Sequence, residues 1–224
     1  MSNSKPTIVV FDSGTGGRLF AAELAKNMPH ALITTVIDAA NAPYGNRDRL
    51  DIQNLVETAL KPYIDTTDLI VIACNTATAN AAEYLRAKYP DQRFIGFEPA
   101  IKPASEQSKT KQIIVLATNA TKKAPRYQKL RNKYCPSTQF TIYEPDCRTW
   151  AAEIDAGTLD ESKIRATLEP YLDKNVDFIS ISCTHYHAVI DTIKKIVGDS
   201  VTVYDPFNAI IRYIETLICD KAQG

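Results

Sequence analysis

The sequence has no excess of charge of either sign, since 26 basic and 26 acidic residues among 224 give a formal net charge of zero. Nucleic acids and anionic membranes are bound by clustered lysine and arginine side chains, so we expect neither as a partner. The longest apolar runs, such as residues 69–74, are far shorter than the roughly 20 residues that span a bilayer. Residues 1–6 have neither the apolar core nor the cleavage site of a signal peptide. We therefore expect a cytoplasmic protein.

The spacing of the cysteines is not that of a disulfide-rich or zinc-binding protein. The five cysteines are an odd number scattered through the chain, which favours reduced thiols over a disulfide framework. The C-x-x-C and H-x-x-x-H spacings of zinc sites do not occur. The loop at 12–17 is rich in glycine, but Leu19 occupies the last glycine position of a dinucleotide fingerprint and no P-loop lysine follows. We therefore expect no metal and no cofactor.

Short apolar runs alternate with segments of helical periodicity along the whole chain. The runs predict strands at 8–11, 32–37, 69–73, 94–97, 112–117, 140–143, 178–182 and 201–204. The periodic segments predict helices at 18–27, 50–63, 77–89, 125–133, 163–173, 189–197 and 207–219. This alternation is typical of an α/β fold with mainly parallel sheets covered by helices on both faces.

One stretch of the sequence occurs twice. Residues 68–76 (DLIVIACNT) are echoed by residues 177–185 (DFISISCTH), so that Cys74 and Cys183 occupy matching places. The repeat predicts two pseudo-symmetric doubly wound domains with a hinge near 99–108. We assign residues 1–98 and a returning C-terminal helix at 206–224 to the first domain, and residues 99–205 to the second.

The polar residues that follow the predicted strands indicate where a ligand binds. In open parallel sheets the ligand lies beyond the carboxyl ends of the strands, and Asp12, Cys74, Thr118 and Cys183 all come just after a strand. Two facing domains would bring these residues together in an interdomain cleft, where small-molecule sites are common.

The glycine-rich loop and the two cysteines each allow two interpretations. Three of the eight glycines lie at 14–17, where they predict positive φ and close approach of backbone amides to an anion, or simply a tight turn. Cys74 at a helix N-terminus favours a lowered pKa, although a lone cysteine is usually a small buried hydrophobe. His185, two residues after Cys183, either shares a proton with that thiol or is structural.

Six motifs, in order, resemble those of bacterial glutamate racemases, which belong to the cofactor-independent aspartate/glutamate racemase superfamily. They are FDSGTGG at 11–17, PYG at 43–45, ACNTA at 73–77, FEPA at 97–100, ATNAT at 117–121 and CTHY at 183–186. The resemblance covers nearly the whole chain. It implies a homodimer and a two-base exchange of the α-proton of glutamate, supplying D-glutamate for peptidoglycan, without a cofactor.

The resemblance also implies roles for individual residues. Cys74 would serve the D-enantiomer and Cys183 the L-enantiomer, assisted in proton transfer by Asp12 and His185. The residues that would bind the α-amino and α-carboxylate groups of the substrate are Ser13, Asn75, Thr76 and Thr184. Those implied for the side-chain carboxylate are Thr121 and the loop of Pro43, Tyr44 and Gly45.

The sequence departs from the family pattern at Ser182, where glycine is usual, at His187, where proline is common, and at Arg18, which is usually apolar. Where the family keeps an acidic residue near its histidine, both Glu153 and Asp155 qualify. The alternatives are an aspartate or broad-specificity racemase and a weakly active racemase-like binding protein. A thiol redox protein is disfavoured, because its two cysteines would lie close in sequence.

Overall fold

The computed structural model describes residues 5–221. Two parts of the predictions lie outside this range. They are residues 1–4 of the N-terminal segment, in which no signal peptide was predicted, and residues 222–224 of the predicted first domain. Among the described residues, no helix has both the length and the apolar character needed to cross a bilayer.

Two four-stranded parallel sheets form the framework of the protein. The first sheet has the order β2-β1-β3-β4 and the second the order β6-β5-β7-β8. The strands are β1 (Thr7–Asp12), β2 (Leu32–Ile37), β3 (Leu69–Ile72), β4 (Phe94–Gly96), β5 (Gln112–Ala117), β6 (Thr141–Tyr143), β7 (Phe178–Ser182) and β8 (Thr202–Tyr204). Each sheet repeats the other in strand order and direction, so the sequence repeat corresponds to a structural repeat.

Helices cover both faces of each sheet. They are α1 (Gly16–Asn27), α2 (Arg49–Leu60), α3 (Asn75–Lys88), α4 (Ile101–Gln107), α5 (Asn119–Lys123), α6 (Pro125–Tyr134), α7 (Trp150–Asp155), α8 (Glu161–Leu172), α9 (Ile190–Val197) and α10 (Phe207–Lys221). Short 3₁₀ turns occur at Ala39–Asn41, Tyr44–Asn46, Lys61–Tyr63 and Thr184–Val189. The predicted α/β class with doubly wound parallel sheets is confirmed.

Alternate residues of the central strands point to opposite helical layers, as the period of two in a strand requires. In β1, Val9 and Phe11 pack with α2 and α3, whereas Ile8 and Val10 pack with α1 and α10. The strands of the second sheet divide in the same way between a layer with α8 and α9 and a layer with α4 and α6. Because both faces are buried, β1, β3 and β5 are almost continuously apolar.

The segment predicted as a hinge contains a helix. Residues 101–107 form α4, which buries Ile101 and Ala104 against the second sheet. The C-terminal helix α10 packs on the first sheet through Phe207, Ile211 and Ile214. The domain boundaries at 98/99 and 205/206 stay a prediction.

Candidate active site

The two repeated cysteines lie at equivalent positions, each just after the third strand of its sheet, and both line one cavity between the sheets. Cys74 caps the N-terminus of α3, and its Sγ accepts a hydrogen bond from the amide of Ala77 at 3.4 Å. Ser13 Oγ lies 3.3 Å from the same sulfur. On the other side, Cys183 Sγ lies 3.9 Å from Nδ1 of His185.

Burial controls the acidity of both thiols. It raises the pKa of Cys74 to about 11, with a further increase from the negative charge of Asp12, although hydrogen bonds from Ser13 and Ala77 oppose it. Burial also raises the pKa of Cys183 well above its ordinary value, and a negative charge on Cys74 raises it further. The expected lowering of the Cys74 pKa by a helix N-terminus is therefore wrong, because desolvation outweighs the amide hydrogen bond. Both thiols are protonated at neutral pH.

Asp12 lies at the end of β1 and is completely buried. Its carboxylate accepts hydrogen bonds from the amide of Gly14 at 2.9 Å and from the hydroxyl of Thr184 at 2.8 Å. Burial raises the pKa of Asp12 to about 6, against the lowering effects of His185 and these hydrogen bonds. Asp12 stands behind the cavity wall and joins the two halves of the protein.

The glycines of the loop after β1 do not have the predicted positive φ. Among the described residues, the glycines with positive φ are Gly157 and Gly198, not those of this loop. A Cβ on Gly14 would lie 2.3 Å from Nε2 of His185, and one on Gly16 would lie 2.5 Å from the carbonyl carbon of Thr184. Gly14 and Gly16 therefore allow the loop to pack directly against the 183–186 turn of the other sheet.

Three threonine hydroxyls form a buried chain beside the cavity. Thr76 Oγ1 lies 2.8 Å from Thr118 Oγ1, which lies 3.0 Å from Thr121 Oγ1. Thr118 lines the cavity, whereas Thr121 has no exposed surface and lies behind it. The structure thus puts Thr118, rather than the predicted Thr121, at the cavity wall.

The PYG loop reaches the cavity from the first sheet. Pro43, Tyr44 and Gly45 all line the cavity. The Tyr44 hydroxyl donates a hydrogen bond to Asp38 at 2.5 Å, and a Cβ on Gly45 would lie 3.2 Å from Cβ of Thr118. The loop therefore closes the cavity against the start of α5.

The partner of His185 is Asp155. Nε2 of His185 lies 3.2 Å from Oδ2 of Asp155, and Oδ1 of the same carboxylate accepts a hydrogen bond from the Thr15 hydroxyl at 2.5 Å. Glu153, the other candidate, instead pairs with Nζ of Lys163 at 3.1 Å. Of the two acidic residues that the sequence left open, Asp155 is therefore the one in contact with His185.

Most of the predicted substrate-binding residues come together in this structure. The predicted residues at the cavity wall are Ser13, Pro43, Tyr44, Gly45, Cys74, Asn75, Thr76, Cys183, Thr184 and His185. Asp12 and Thr121 lie behind it. Thr118, which was expected in the cleft but given no role, also lines the cavity, and the lining residues that the sequence did not predict are Asn46, Arg148, Ala151 and Ala152. Thr118 has a sequence signal, its place after β5, whereas no motif marks the segment that leads into α7.

The three departures from the family pattern lie outside the cavity lining. Ser182 is buried with its hydroxyl 2.8 Å from that of Ser180. The ring of His187 stacks on Phe207 at a centroid distance of 4.1 Å, with Nδ1 3.0 Å from Asp205. Arg18 is exposed on α1. These substitutions alter the surroundings of the site but not its wall.

The cavity is small and enclosed. Its volume is about 30 Å³, close to the share of one water molecule in the liquid and far below the roughly 300 Å³ at which ligand pockets begin. Part of the cavity wall must therefore move to admit a ligand. Among the described residues, no group of three or more His, Cys, Asp or Glu side chains is placed to hold a metal ion.

Comparison with known proteins gives consistent results. The sequence profile of the Asp/Glu/hydantoin racemase family matches residues 18–214. The chain is similar to a glutamate racemase of Aliarcobacter butzleri, with 35% identity over 95% of this chain and 84% of that protein. It is also similar to one from Clostridium perfringens, with 36% identity over 92% of this chain and 80% of that protein.

Solved structures agree with the sequence comparison. The fold is similar to Escherichia coli glutamate racemase in complex with L-glutamate and the activator UDP-MurNAc-Ala, with a TM-score of 0.83 and 25% identity over 96% of this chain and 82% of that chain. It is also similar to Francisella tularensis glutamate racemase in complex with D-glutamate, with a TM-score of 0.82, 25% identity and coverage of 97% and 82%. Allantoin racemase from Klebsiella pneumoniae, with a TM-score of 0.58, 16% identity and coverage of 96% and 88%, shares the fold alone.

Proposed function

The chain belongs to the Asp/Glu/hydantoin racemase family, and we propose that it interconverts L- and D-glutamate by transferring the α-proton between Cys74 and Cys183. The observation that carries the proposal is the presence of one thiol from each half of the protein in the wall of a single cavity. Inversion at a carbon atom needs a base on one face and an acid on the other. Two thiols on opposite sides meet this requirement without further groups.

The proposed reaction balances as a proton relay. The thiolate of one cysteine takes the α-proton, the electron pair stays on the α-carbon, and the thiol of the other cysteine donates its proton to the opposite face. The thiolate thereby moves from one side to the other. Following the family resemblance, we assign abstraction from the D-enantiomer to Cys74 and from the L-enantiomer to Cys183.

A thiolate must form inside a buried site for this relay to start. Since burial holds the pKa of Cys74 at about 11, the substrate itself has to favour ionisation. Its ammonium group brings a positive charge close to the thiols, and an opposite charge stabilises the ionised form. We assign to His185 the exchange of a proton with Cys183, and to Asp12 the balancing of the ammonium charge and assistance on the Cys74 side.

The carbanion is the difficult intermediate. Hydrogen-bond donors fixed in advance stabilise developing charge best where water is excluded. We assign contacts with the α-amino and α-carboxylate groups to Ser13, Asn75, Thr76 and Thr184. The loop of Pro43, Tyr44 and Gly45, with Thr118 backed by Thr121, takes the side-chain carboxylate. The small volume of the cavity (about 30 Å³) supports a reaction in a closed cleft.

We also propose the setting that the family resemblance implies. The protein works in the cytoplasm as a homodimer, with neither nucleic acid nor membrane as a partner and without a cofactor, and its D-glutamate enters peptidoglycan synthesis. The named relatives, which are bacterial glutamate racemases, support this setting.

Isotope exchange tests the activity and the substrate. The protein is incubated in deuterium oxide with L-glutamate and, separately, with L-aspartate, and α-deuteration and optical rotation are followed. We expect both signals with glutamate. Exchange with aspartate at an equal rate would favour a broad-specificity racemase, and no exchange with either would remove the proposal in favour of a binding protein.

Cysteine variants test the two-thiol mechanism. We expect Cys74→Ser and Cys183→Ser each to lose racemisation by about a thousand-fold, because a serine hydroxyl is a far weaker acid than a thiol. Cys219→Ser, which alters an exposed thiol on α10, is the matched control and should keep the parent rate. Either active-site variant at the parent rate would contradict the mechanism.

A further inference from the structure

The side chain of Thr15, the residue just before α1, makes a hydrogen bond that is unusual for this position. It precedes the first residue of α1, where a threonine side chain commonly accepts a hydrogen bond from the helix backbone. Its own backbone is helical, with φ −65° and ψ −26°, and its side chain makes no capping hydrogen bond. Instead, the hydroxyl donates to Oδ1 of Asp155 at 2.5 Å, a residue 140 positions away.

Asp155 uses its two oxygens in different directions. Oδ1 accepts from Thr15, which belongs to the loop after β1 of the first sheet, and Oδ2 lies 3.2 Å from Nε2 of His185 beside the second sheet. A carboxylate held by one partner can rotate, whereas one held through both oxygens keeps a fixed plane. Thr15 therefore limits the orientations that Asp155 can offer to the imidazole.

The neighbouring residue reinforces this arrangement. Gly14 lies against the ring of His185, so close that a Cβ there would be 2.3 Å from Nε2. Two consecutive residues of one loop thus contact the His185–Asp155 pair, one at the ring and one at the carboxylate. Asp155 ends α7 and His185 lies in the turn after β7, so a movement that separates the loop from this half of the protein breaks both contacts together.

We propose that Thr15 is a positioning residue that acts through Asp155 on His185 and couples cleft closure to the alignment of the imidazole with Cys183. The proposal rests on the proposed function, because His185 there exchanges a proton with Cys183. With the cleft closed, the Thr15–Asp155 hydrogen bond fixes the carboxylate and the imidazole. With the cleft open, the carboxylate loses one partner and the imidazole is no longer fixed.

The exposure of the Thr15–Asp155 hydrogen bond, which we call the latch, suits a contact that forms and breaks reversibly. Thr15 is exposed and the Asp155 side chain is 36% exposed, so water replaces the hydrogen bond when the cleft opens. Such bonds contribute modestly. We expect the loss of the hydroxyl to lower kcat by about five-fold, which corresponds to about 1 kcal/mol at 1.4 kcal/mol per tenfold change.

A set of four variants isolates the contact. Thr15→Val keeps the shape of the side chain and removes the donor, and Thr15→Ser restores the hydroxyl. Asp155→Ala removes the acceptor, and the Thr15→Val/Asp155→Ala double variant completes the cycle. The control is Thr58→Val, which removes an exposed hydroxyl that donates to the carbonyl of Asn54 within α2.

Kinetics and thermal stability provide the first readout. We expect Thr15→Val to lower kcat about five-fold with KM and Tm close to those of Thr58→Val, and Thr15→Ser to restore the rate. In the Asp155→Ala background, Thr15→Val should cause no further loss, because the acceptor is already absent. A full additional loss in that background, or an unchanged kcat in Thr15→Val, would overturn the proposal.

A second readout does not depend on activity. The chain has one tryptophan, Trp150, which is buried at the start of α7 and packs edge-on against Tyr186 at 5.3 Å. We expect acrylamide to quench Trp150 fluorescence more strongly in Thr15→Val and Asp155→Ala than in Thr58→Val, because α7 is held less firmly. Equal quenching in all three would overturn the latch. A parent protein that does not racemise glutamate would refute the proposed function, while the quenching still decides on the latch.

Discussion

The carboxylate of Asp12 accepts a 2.8 Å hydrogen bond from the hydroxyl of Thr184 across the junction between the two sheets. Asp12 ends β1, Thr184 follows β7, and both are buried. Burial raises the pKa of Asp12 to about 6, so the group is ionised at neutral pH in a place that disfavours charge. A group kept ionised against its desolvation is typical of functional sites.

The first prediction concerns the stability of Asp12→Asn. The pKa of Asp12 is about 6 in the folded protein against an ordinary 3.8, so the folded state binds this proton more tightly than the unfolded chain. Its contribution to stability is present below pH 4 and is lost as the pH rises through 6. Asparagine does not titrate, so the free energy of unfolding of the variant relative to the parent should rise by about 3 kcal/mol over this range.

Urea unfolding of parent and variant from pH 4 to pH 7 measures this difference. Asp173→Asn, an exposed carboxylate, controls for the loss of one negative charge. A difference between Asp12→Asn and the parent that stays constant with pH would contradict the raised pKa. We also expect Asp12→Asn to lose activity, because the negative charge beside the thiols is gone.

The second prediction concerns the pH dependence of the reaction. Burial raises the pKa of Cys74 to about 11, so the thiolate fraction of the free protein grows with pH throughout the neutral range. Since kcat/KM reports the ionisation of the free enzyme, it should rise from pH 7 to pH 9 with a slope that approaches ten-fold per unit. Initial rates from both enantiomers at constant ionic strength measure the slope. A flat profile would mean that a thiolate already exists at pH 7.

The strands were predictable because each is a short apolar run bounded by polar residues. β5 and β7, buried on both faces, were predicted at their observed bounds. The short helices α4 and α7 were missed, because helices of six or seven residues have too few turns to show periodicity. α4 is stabilised by the burial of Ile101 and Ala104 against the second sheet, which the local sequence does not reveal.

The site was predictable only where strand ends and motifs marked it. Glu153 and Asp155 have equal claims in the sequence. Residues two apart on a helix do not share a face, and in the structure Asp155 faces His185 whereas Glu153 pairs with Lys163 on α8. The pKa of Cys74 was predicted in the wrong direction, because a helix N-terminus is visible in a sequence but the degree of burial is not. Arg148 was missed, since no motif marks its loop.

The third prediction concerns Arg148, the one lysine or arginine among the described residues that line the cavity. It pairs with Asp146 at 2.6 Å, and its charge attracts a substrate with two carboxylates. We expect Arg148→Ala to raise the KM for glutamate several-fold with little change in kcat, and Arg148→Lys to have a smaller effect. The difference in KM between Arg148→Ala and the parent should shrink at about 1 M salt, where the screening length falls to about 3 Å.

Steady-state kinetics of Arg148→Ala and of Arg165→Ala at two salt concentrations make the comparison. Arg165 lies on α8 and pairs with Glu161, so its removal controls for the loss of one surface charge. An unchanged KM in Arg148→Ala would mean that this guanidinium stays on Asp146 throughout the reaction.

The fourth prediction concerns Gly14 and His185. A Cβ at position 14 would lie 2.3 Å from Nε2 and 2.5 Å from Cε1 of His185, so Gly14→Ala must displace the ring. The displaced imidazole loses its place between Cys183 and Asp155, and we expect kcat to fall at least ten-fold. Overpacking of this kind also destabilises a protein, typically by about 1–3 kcal/mol. Activity assays and urea unfolding measure the two effects.

The same change in a His185→Ala background separates two reasons for glycine at this position. Gly14 does not have a left-handed backbone, so the ring of His185 is the group that an alanine meets. Once that ring is removed, Gly14→Ala should destabilise the protein by no more than about 0.5 kcal/mol, because the two changes share one contact and are not additive. An equal destabilisation in both backgrounds would show that position 14 requires glycine for its backbone, and that close packing of the loop on His185 is not the reason.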